Sequence, residues 1–260
     1  MNILVCVKQT IDTAATVTVE DGKISGGEAP LVLNPWDEFA VEEALRTKEA
    51  HGGQVTVLSL GALEAKEALK QALAMGCDSA VLVSDPAFAK SDSLGTSKAI
   101  AGAIQKLGEI DIVFLGRTTV DYDMGVTSSQ VARRLGWPSL SLVAAITELD
   151  PGGKRIAVER LLEDGRQVVR SKLPAVVSVV KEINEPRYPS FMGIRKASRL
   201  EIPEWSAADV GLTTVPEGVL RWPEVYAPPK VETRCEMIGG GSPDEIATKL
   251  VARLVEEKVI

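Results

Sequence analysis

The chain opens on "NILVCVK", an apolar run with almost no polar interruption. A strand with one wet face would alternate, so this run predicts a parallel strand covered on both faces. "TVTVEDGKIS" then alternates about an Asp-Gly pair, which predicts a small hairpin. "NPWDEFAVEEALRTKEAHGG" changes to helical spacing. Asp37 and Glu38 stand in its first turn, Phe39, Val41 and Leu45 lie along it, and Gly52 stops it. The same rhythm repeats: strand "QVTVLSLG", helix "LEAKEALKQALAMG", strand "SAVLVSD", a helix around "TSKAIAGAIQKLG", strand "IDIVFLG" and helix "VTSSQVARRLG". Short buried strands alternating with helices predict an α/β fold, a mostly parallel sheet with helices on both faces.

The pattern then shifts twice. From Leu140 to Glu182, Pro-Gly-Gly and Asp-Gly turns separate apolar runs, which predicts an antiparallel extension closing the sheet. After Pro203 periodicity fades through Trp205, Trp222, Pro223, Tyr226, Pro228, Pro229 and Cys235. Gly239 to Gly241 then precede a helix with Ser242 as N-cap, Pro243 at its first position, and Asp244 and Glu245 in its first turn. Ile246, Leu250, Leu254 and Val255 form one apolar stripe on it. The expected organisation is an α/β domain over 1–203 and a C-terminal arm over 204–260, whose helix wraps a partner.

Composition narrows the classes. At 260 residues the chain can bury one core plus an appended arm. A net charge of −7 argues against a general nucleic-acid binder. No apolar run reaches membrane-span length, so no direct membrane insertion is expected, and Asp12 interrupts the first run too early for a signal peptide. Cys6, Cys77 and Cys235 have no CxxC spacing and His51 is the lone histidine, so no metal site is expected and the compartment reads as reducing and cytoplasmic.

The candidate chemistry is that of a nucleotide. Neither GxGxxG after the first strand nor GxxxxGK[ST] is present, and Gly239 to Ser242 reads as a hinge. The informative loop is "LGRTTVDYDMGVTSSQVA", Leu115 to Ala132, at the carboxyl end of a predicted strand. Thr127, Ser128 and Ser129 place hydroxyls where helix amides and dipole attract an anion, and Gly125 permits close approach. An equally open reading makes Thr127 a plain N-cap, and Asp121 and Asp123 turn formers. "LNPWDE", with Asn34 as a possible cap, and "KSDSLGTS", with Asp92, Ser93, Thr96 and Ser97, bring two more polar loops to the same sheet edge. His51 reads as a solvent-facing last-turn residue and Cys6 as inert, so no catalytic residue is named.

"LVCVKQTID", "NPWDEFAVEEALRTKE", "ALAMGCDSAVLV", "GRTTVDYD" and "VVRSKLPAVVSVVKEINEPRYPSFMGIRKA" together resemble the β subunit of electron transfer flavoprotein over nearly the whole chain. The resemblance implies a Rossmann-like fold and an obligate heterodimer with an α subunit. It also implies an FAD shared at the junction, and electron passage between dehydrogenases of the acyl-CoA type and other carriers. It implies a second nucleotide in this chain's own crevice, AMP in simple carriers and a second FAD in electron-bifurcating members, where that flavin takes hydride from NADH. Carried over by position, the contacts are Cys6, Asn34, Pro35, Trp36, Asp37, Leu60 and the loop from Asp121 to Ala132. That loop includes Asp123, Met124, Gly125, Val126, Thr127, Ser128, Ser129 and Gln130; Gly116 and Arg117 open it. The family's docking loop falls at Tyr188, Phe191 and Met192.

Two features favour FAD: "SDSLGTS" resembles the Asp-Thr-x-x-Thr-Ser pattern of bifurcating members (Asp92, Thr96 and Ser97 among its matches), and Leu161 follows "VER" where simple carriers commonly show an acid. "VTSSQ" and Tyr122 depart from both groups. The expectation is FAD, with AMP as the alternative. From another class, a universal-stress-type regulatory module would share the sheet and the acidity without needing the arm. An ATP-pyrophosphatase would need Ser-Gly-Gly-x-Asp-Ser where this chain has "KQTIDT".

Overall fold

A computed structural model describes residues 1–215, 217–220, 223–229 and 235–260; Trp222 of the irregular segment lies outside them. The chain divides into a unit over Met1–Glu224 and a second over Val225–Ile260. In the first, the elements are β1 (Asn2–Val7), β2 (Gln9–Ile11), β3 (Thr18–Glu20), β4 (Lys23–Ser25), β5 (Leu31–Leu33), α1 (Pro35–His51), β6 (Gln54–Leu60), α2 (Lys66–Met75) and β7 (Ser79–Val83). They continue through α3 (Ser93–Leu107), β8 (Ile112–Gly116), α4 (Thr127–Leu135), β9 (Ser139–Asp150), β10 (Arg155–Leu162), β11 (Gly165–Lys172), β12 (Ala175–Val179), α5 (Phe191–Ala197) and β13 (Glu204–Trp205).

Among the described residues, nine strands form one sheet in the order β11-β10-β9-β12-β8-β1-β6-β7-β13. From β12 to β13 every pairing is parallel. The uninterrupted apolarity of β1 has its reason here. Ile3, Val5 and Val7 pack into one core layer with Val41, Leu45 and Leu69. Leu4 and Cys6 point the other way, among Ile100, Ile104 and Val131. Each such aliphatic side chain contributes roughly 1.5–3 kcal/mol by leaving water. Helices α1 and α2 therefore cover one face and α3 and α4 the other, as the α/β pattern predicts. The β3–β4 hairpin turns at Asp21 and Gly22, both with positive φ, as a two-residue loop of its twist requires.

The antiparallel expectation holds for β9, β10 and β11 and fails for β12. That strand runs parallel between β8 and β9. Its five residues are all buried, so the continuous run "AVVSV" marks an interior strand rather than an edge. Past Pro203 the backbone stays with the sheet: Leu82 N–H donates to Pro203 O at 2.9 Å and Ser84 N–H to Trp205 O at 2.8 Å. Ala207, Val210 and Leu212 are buried in the second core layer. Core packing thus continues past Pro203 to Leu212, within the first unit.

The second unit carries α6 (Pro243–Glu256), closed at its start by a full capping box between Ser242 and Glu245. It buries no residue, and Leu250 and Val255 of its apolar stripe are exposed. No helix among the described residues is long and apolar enough to cross a membrane.

Candidate functional site

The sheet order places a crevice. From β1 the chain moves outward through β6 and β7, whereas β8 returns to the other side of β1. Open α/β sheets bind ligands outside the carboxyl ends of their strands at such a switch. A cleft of about 460 Å³ lies there. Its walls are Cys6, Val7 and Lys8 at the end of β1, Leu60 at the end of β6, the 89–93 segment with Thr96, and Leu115 to Thr119 at the end of β8 and just beyond it. Asp37, Ile100, Tyr122, Met124, Gly125, Thr127, Ser128, Gly218 and Leu220 complete them.

The floor is tied together by two side chains from the start of α1. Asp37 accepts from the Lys8 N–H at 2.8 Å and from the Gly116 N–H at 3.1 Å, linking the ends of β1 and β8. Gly116 is required at this crossing: a Cβ there would meet Asp37 Oδ1 at 2.5 Å and the Trp36 carbonyl carbon at 2.6 Å. Burial pushes the Asp37 carboxyl up to about 7, against the pull of the Lys8 amide, Asn34, the Gly116 amide and the Lys8 charge. Burial, with Asp37 adding to it, also pushes the Cys6 thiol well above its ordinary range, which leaves it inert as a nucleophile.

Asn34 stands at the N-cap of α1 but makes no side-chain capping bond, contrary to expectation. Its amide instead spans to the loop after β8, donating to Thr118 O at 2.9 Å and accepting from Val120 N–H at 3.2 Å. The fully buried side chain thereby finds partners for its own amide in that loop's backbone. The N-cap reading of Thr127 is also revised: Val126 holds that position, and Thr127 is the first helical residue. Thr127 and Ser128 therefore stand in the first turn of α4, whose amides have no intrahelical partner, and both line the cleft.

Not every predicted hydroxyl is free for a ligand. Ser97 is buried, donates to Leu94 O and accepts from Arg134 Nε, both at 2.9 Å. Ser93 accepts from Gln130 Nε2 at 3.2 Å. These bonds join α3 to α4. Asp92 caps α3 through Leu94 and Gly95 N–H, and its other oxygen accepts from Val219 N–H at 2.9 Å. Burial is slight and these amides hold its carboxyl below the ordinary range. Thr96 alone of the α3 hydroxyls beyond Ser93 faces the cleft wall.

Of the predicted residues, Cys6, Asp37, Leu60, Asp92, Thr96, Gly116, Arg117, Met124, Gly125, Thr127 and Ser128 line the cleft. Asn34, Pro35, Trp36, Ser97, Asp121, Asp123, Val126, Ser129 and Gln130 do not form its wall. Several support it from behind: the Trp36 ring lies under the Arg117 guanidinium at 5.3 Å, and Asp123 takes a left-handed turn closed by its N–H on Thr119 O. Sequence reasoning missed Lys8, Ser91, Thr118 and Thr119 as wall residues. The Thr118–Thr119 pair directly after a strand end was a usable signal; Gly218 and Leu220 come from a distant return of the chain that leaves none. The Ser91 and Thr118 hydroxyls are buried without a partner among the described residues. Such groups are expected to find one. A cleft within the usual ~300–1,000 Å³ range, with Lys8, Lys90 and Arg117 at its rim and unspent hydroxyls in its wall, fits a nucleotide.

The segment after β12 is built differently. Arg187 grips buried Glu42 with Nε at 2.7 Å and Nη2 at 3.0 Å, and reaches Glu49 with Nη1 at 2.6 Å. Asn184 donates to Phe39 O at 3.1 Å and Glu43 Oε2 at 3.0 Å. Beyond these anchors Tyr188, Phe191 and Met192 are 94%, 80% and 68% exposed.

A family model described as the electron transfer flavoprotein domain matches residues 24–210. The chain belongs to that family. It is 37% identical over 266 residues to the caffeyl-CoA reductase-Etf complex subunit CarD of Acetobacterium woodii, covering 100% of both chains. It is 38% identical to the electron transfer flavoprotein subunit beta of Clostridium acetobutylicum, again over 100% of both. Protein FixA of Azorhizobium caulinodans is 40% identical over 226 residues, 85% of this chain and 80% of its own. These likenesses place the chain on the β-subunit side of the family and give it an electron transfer flavoprotein β role.

Proposed function

We propose that this chain works as a β subunit in a cytoplasmic heterodimer with an α subunit, sharing one FAD at their junction and holding a second FAD in the cleft between β1 and β8. The observation that carries this reading is the convergence on one switch-point cleft of three βα loops rich in hydroxyls and backbone amides. A flavin bound there would accept a hydride from NADH and pass electrons on singly. The chain's own part is to bind and orient it. The first turn of α4, with Thr127 and Ser128, suits the phosphates, and Arg117 offers a cation at the rim. Ser91, Thr96 and Thr118 are placed for a polyol chain. Gly116 and Gly125 keep the backbone close.

Partner contacts follow from the exposed apolar surface. The stripe of α6 suits burial against the α subunit. Phe191 and Met192 suit a pocket on a dehydrogenase. AMP is the second reading, and one observation favours it: Ser93 and Ser97, two of the hydroxyls that suggested FAD, are spent on joining α3 to α4. The test is the nucleotide content of the co-purified αβ complex, denatured after FAD supplementation. Two FAD and no AMP are expected. One FAD with one AMP would make the chain part of a single-flavin shuttle, and one FAD alone would remove the nucleotide from the cleft altogether.

A further inference from the structure

We infer that Lys8 is a positioning residue: it latches the 117–126 loop across the cleft and sets how slowly the bound nucleotide leaves. The inference rests on the reading of this cleft as a nucleotide site. Lys8 starts from a fixed point, because its N–H donates to Asp37 at 2.8 Å and its carbonyl accepts from the Asn34 N–H at 2.9 Å. From there its side chain runs along the cleft wall to the loop tip. Its ammonium pairs with the Asp121 carboxylate and sits over the Tyr122 ring, 4.7 Å from the centroid. One cation thus holds two consecutive residues of the loop.

The loop is made to move as a unit. Its base is pinned by Asn34 through Thr118 and Val120. Its tip is a compact turn, closed by the bond from Asp123 N–H to Thr119 O, with left-handed backbone at Asp123 and Gly125. Base and tip are therefore held by different groups, and Lys8 is the one that ties the tip to the end of β1. Tyr122 and Met124 line the cleft from this tip, so a tip that swings out opens the wall on that side. The paired side chains of Lys8 and Asp121 are 37% and 32% exposed. A half-wet ion pair with a cation–π contact is worth on the order of a fivefold bias, and salt weakens it.

The rival role for Lys8 is direct contact with a phosphate. The two roles differ in sign at Asp121. If Lys8 is a latch, removing Asp121 loosens the loop; if it is a phosphate ligand, removing Asp121 frees the cation and tightens binding. The experiment uses the full chain co-purified with its α subunit, as wild type, Lys8→Met, Asp121→Asn and the double variant. Hydrogen exchange of the loop amides and the release rate of the resident nucleotide are followed together. Each single variant is expected to speed both by about fivefold, with the double variant no faster than either. Unchanged loop exchange in Lys8→Met, additive effects in the double variant, or slower release in Asp121→Asn would each overturn the latch. A wild-type complex with no nucleotide in this cleft would overturn the nucleotide reading instead, and the exchange data would still decide whether Lys8 holds the loop.

Discussion

The loop from Gly116 to Ser128 and the stretch from Asn184 to Ile194 look alike as sequence, each mixing charges, aromatics and apolar residues where a plain turn would do. They turn that mixture in opposite directions. In the loop, polar side chains from elsewhere hold the backbone, through Asn34 and Asp37, and leave hydroxyls facing a cleft. In the later stretch the polar residues are themselves the anchors: Asn184 and Arg187 fasten it to α1 and leave Tyr188, Phe191 and Met192 outside. A recognisable motif therefore does not say which of its residues meets a ligand. The polar members of one signature point inward as scaffold, and those of the other surround a space.

The comparison breaks first at Arg187. If it is a structural anchor, Arg187→Ala takes the two-pronged guanidinium from the buried Glu42 carboxylate and leaves it the residue-187 N–H at 3.2 Å and the more distant Arg46 Nε at 3.8 Å. The expected loss is about 3 kcal/mol of unfolding free energy, toward the low end for broken buried pairs because Arg187 is partly exposed. Arg187→Lys should recover only part of it, since one ammonium cannot make the two-pronged contact. Chemical denaturation of both variants checks this. A loss under about 0.5 kcal/mol, the ordinary range for surface changes, would show that Arg187 is free for a partner instead.

The second test falls on the crevice side, at Asp37. Its folded pKa is raised, to about 7. The stability it contributes is therefore complete below its ordinary carboxylate range and is lost as pH rises through about 7. Between about pH 5 and about pH 8 that loss should be about 2.6 kcal/mol. Asp37→Asn should flatten this slope, whatever its effect on absolute stability. Unfolding free energies across pH read both, and an unaltered slope in the variant would move the titration to another group. The result also bears on the site, because Asp37 joins the ends of β1 and β8 directly beneath the cleft.

Much of this scaffold is legible in the sequence. The double-sided burial of β1 follows from its lack of alternation, the β3–β4 hairpin from Asp-Gly, and the start of α6 from Ser-Pro-Asp-Glu. These signals are local, written within a dozen residues. The insertion of β12 between β8 and β9 was not legible, because strand order depends on which distant edges meet. Asn34 was misread for the same reason. An asparagine before a helix caps it unless another backbone competes, and the competitor lies 84 residues away at Thr118. The cleft residues nearest to strand ends were found, whereas Gly218 and Leu220 arrive by a return of the chain with no periodic or turn signal. The likeness to electron transfer flavoprotein β subunits, visible in the stretch ending "NEPRYPSF", is upheld by the family match.

The smallest expected change in stability is at Phe191, and it is the most discriminating about docking. The helix that presents this residue is fixed without it: Ser190 caps it through the Gly193 N–H at 2.9 Å, Gly193 lies too close to Ala74 O to admit a side chain, and Ala197 is buried. Phe191→Ala should therefore shift unfolding by less than about 0.5 kcal/mol. If its exposed ring is a docking residue, as proposed, the same change should weaken productive contact with the dehydrogenase about tenfold, the effect of losing a small hot spot. The KM for the carrier in dehydrogenase-driven reduction should rise, with nucleotide content unchanged. A marked drop in stability would mean that the ring packs on its own chain in solution, and the contrast between an inward-facing loop and an outward-facing one would fail at its outward end. Unchanged stability with unchanged KM would keep the contrast in architecture and move docking to another part of the surface.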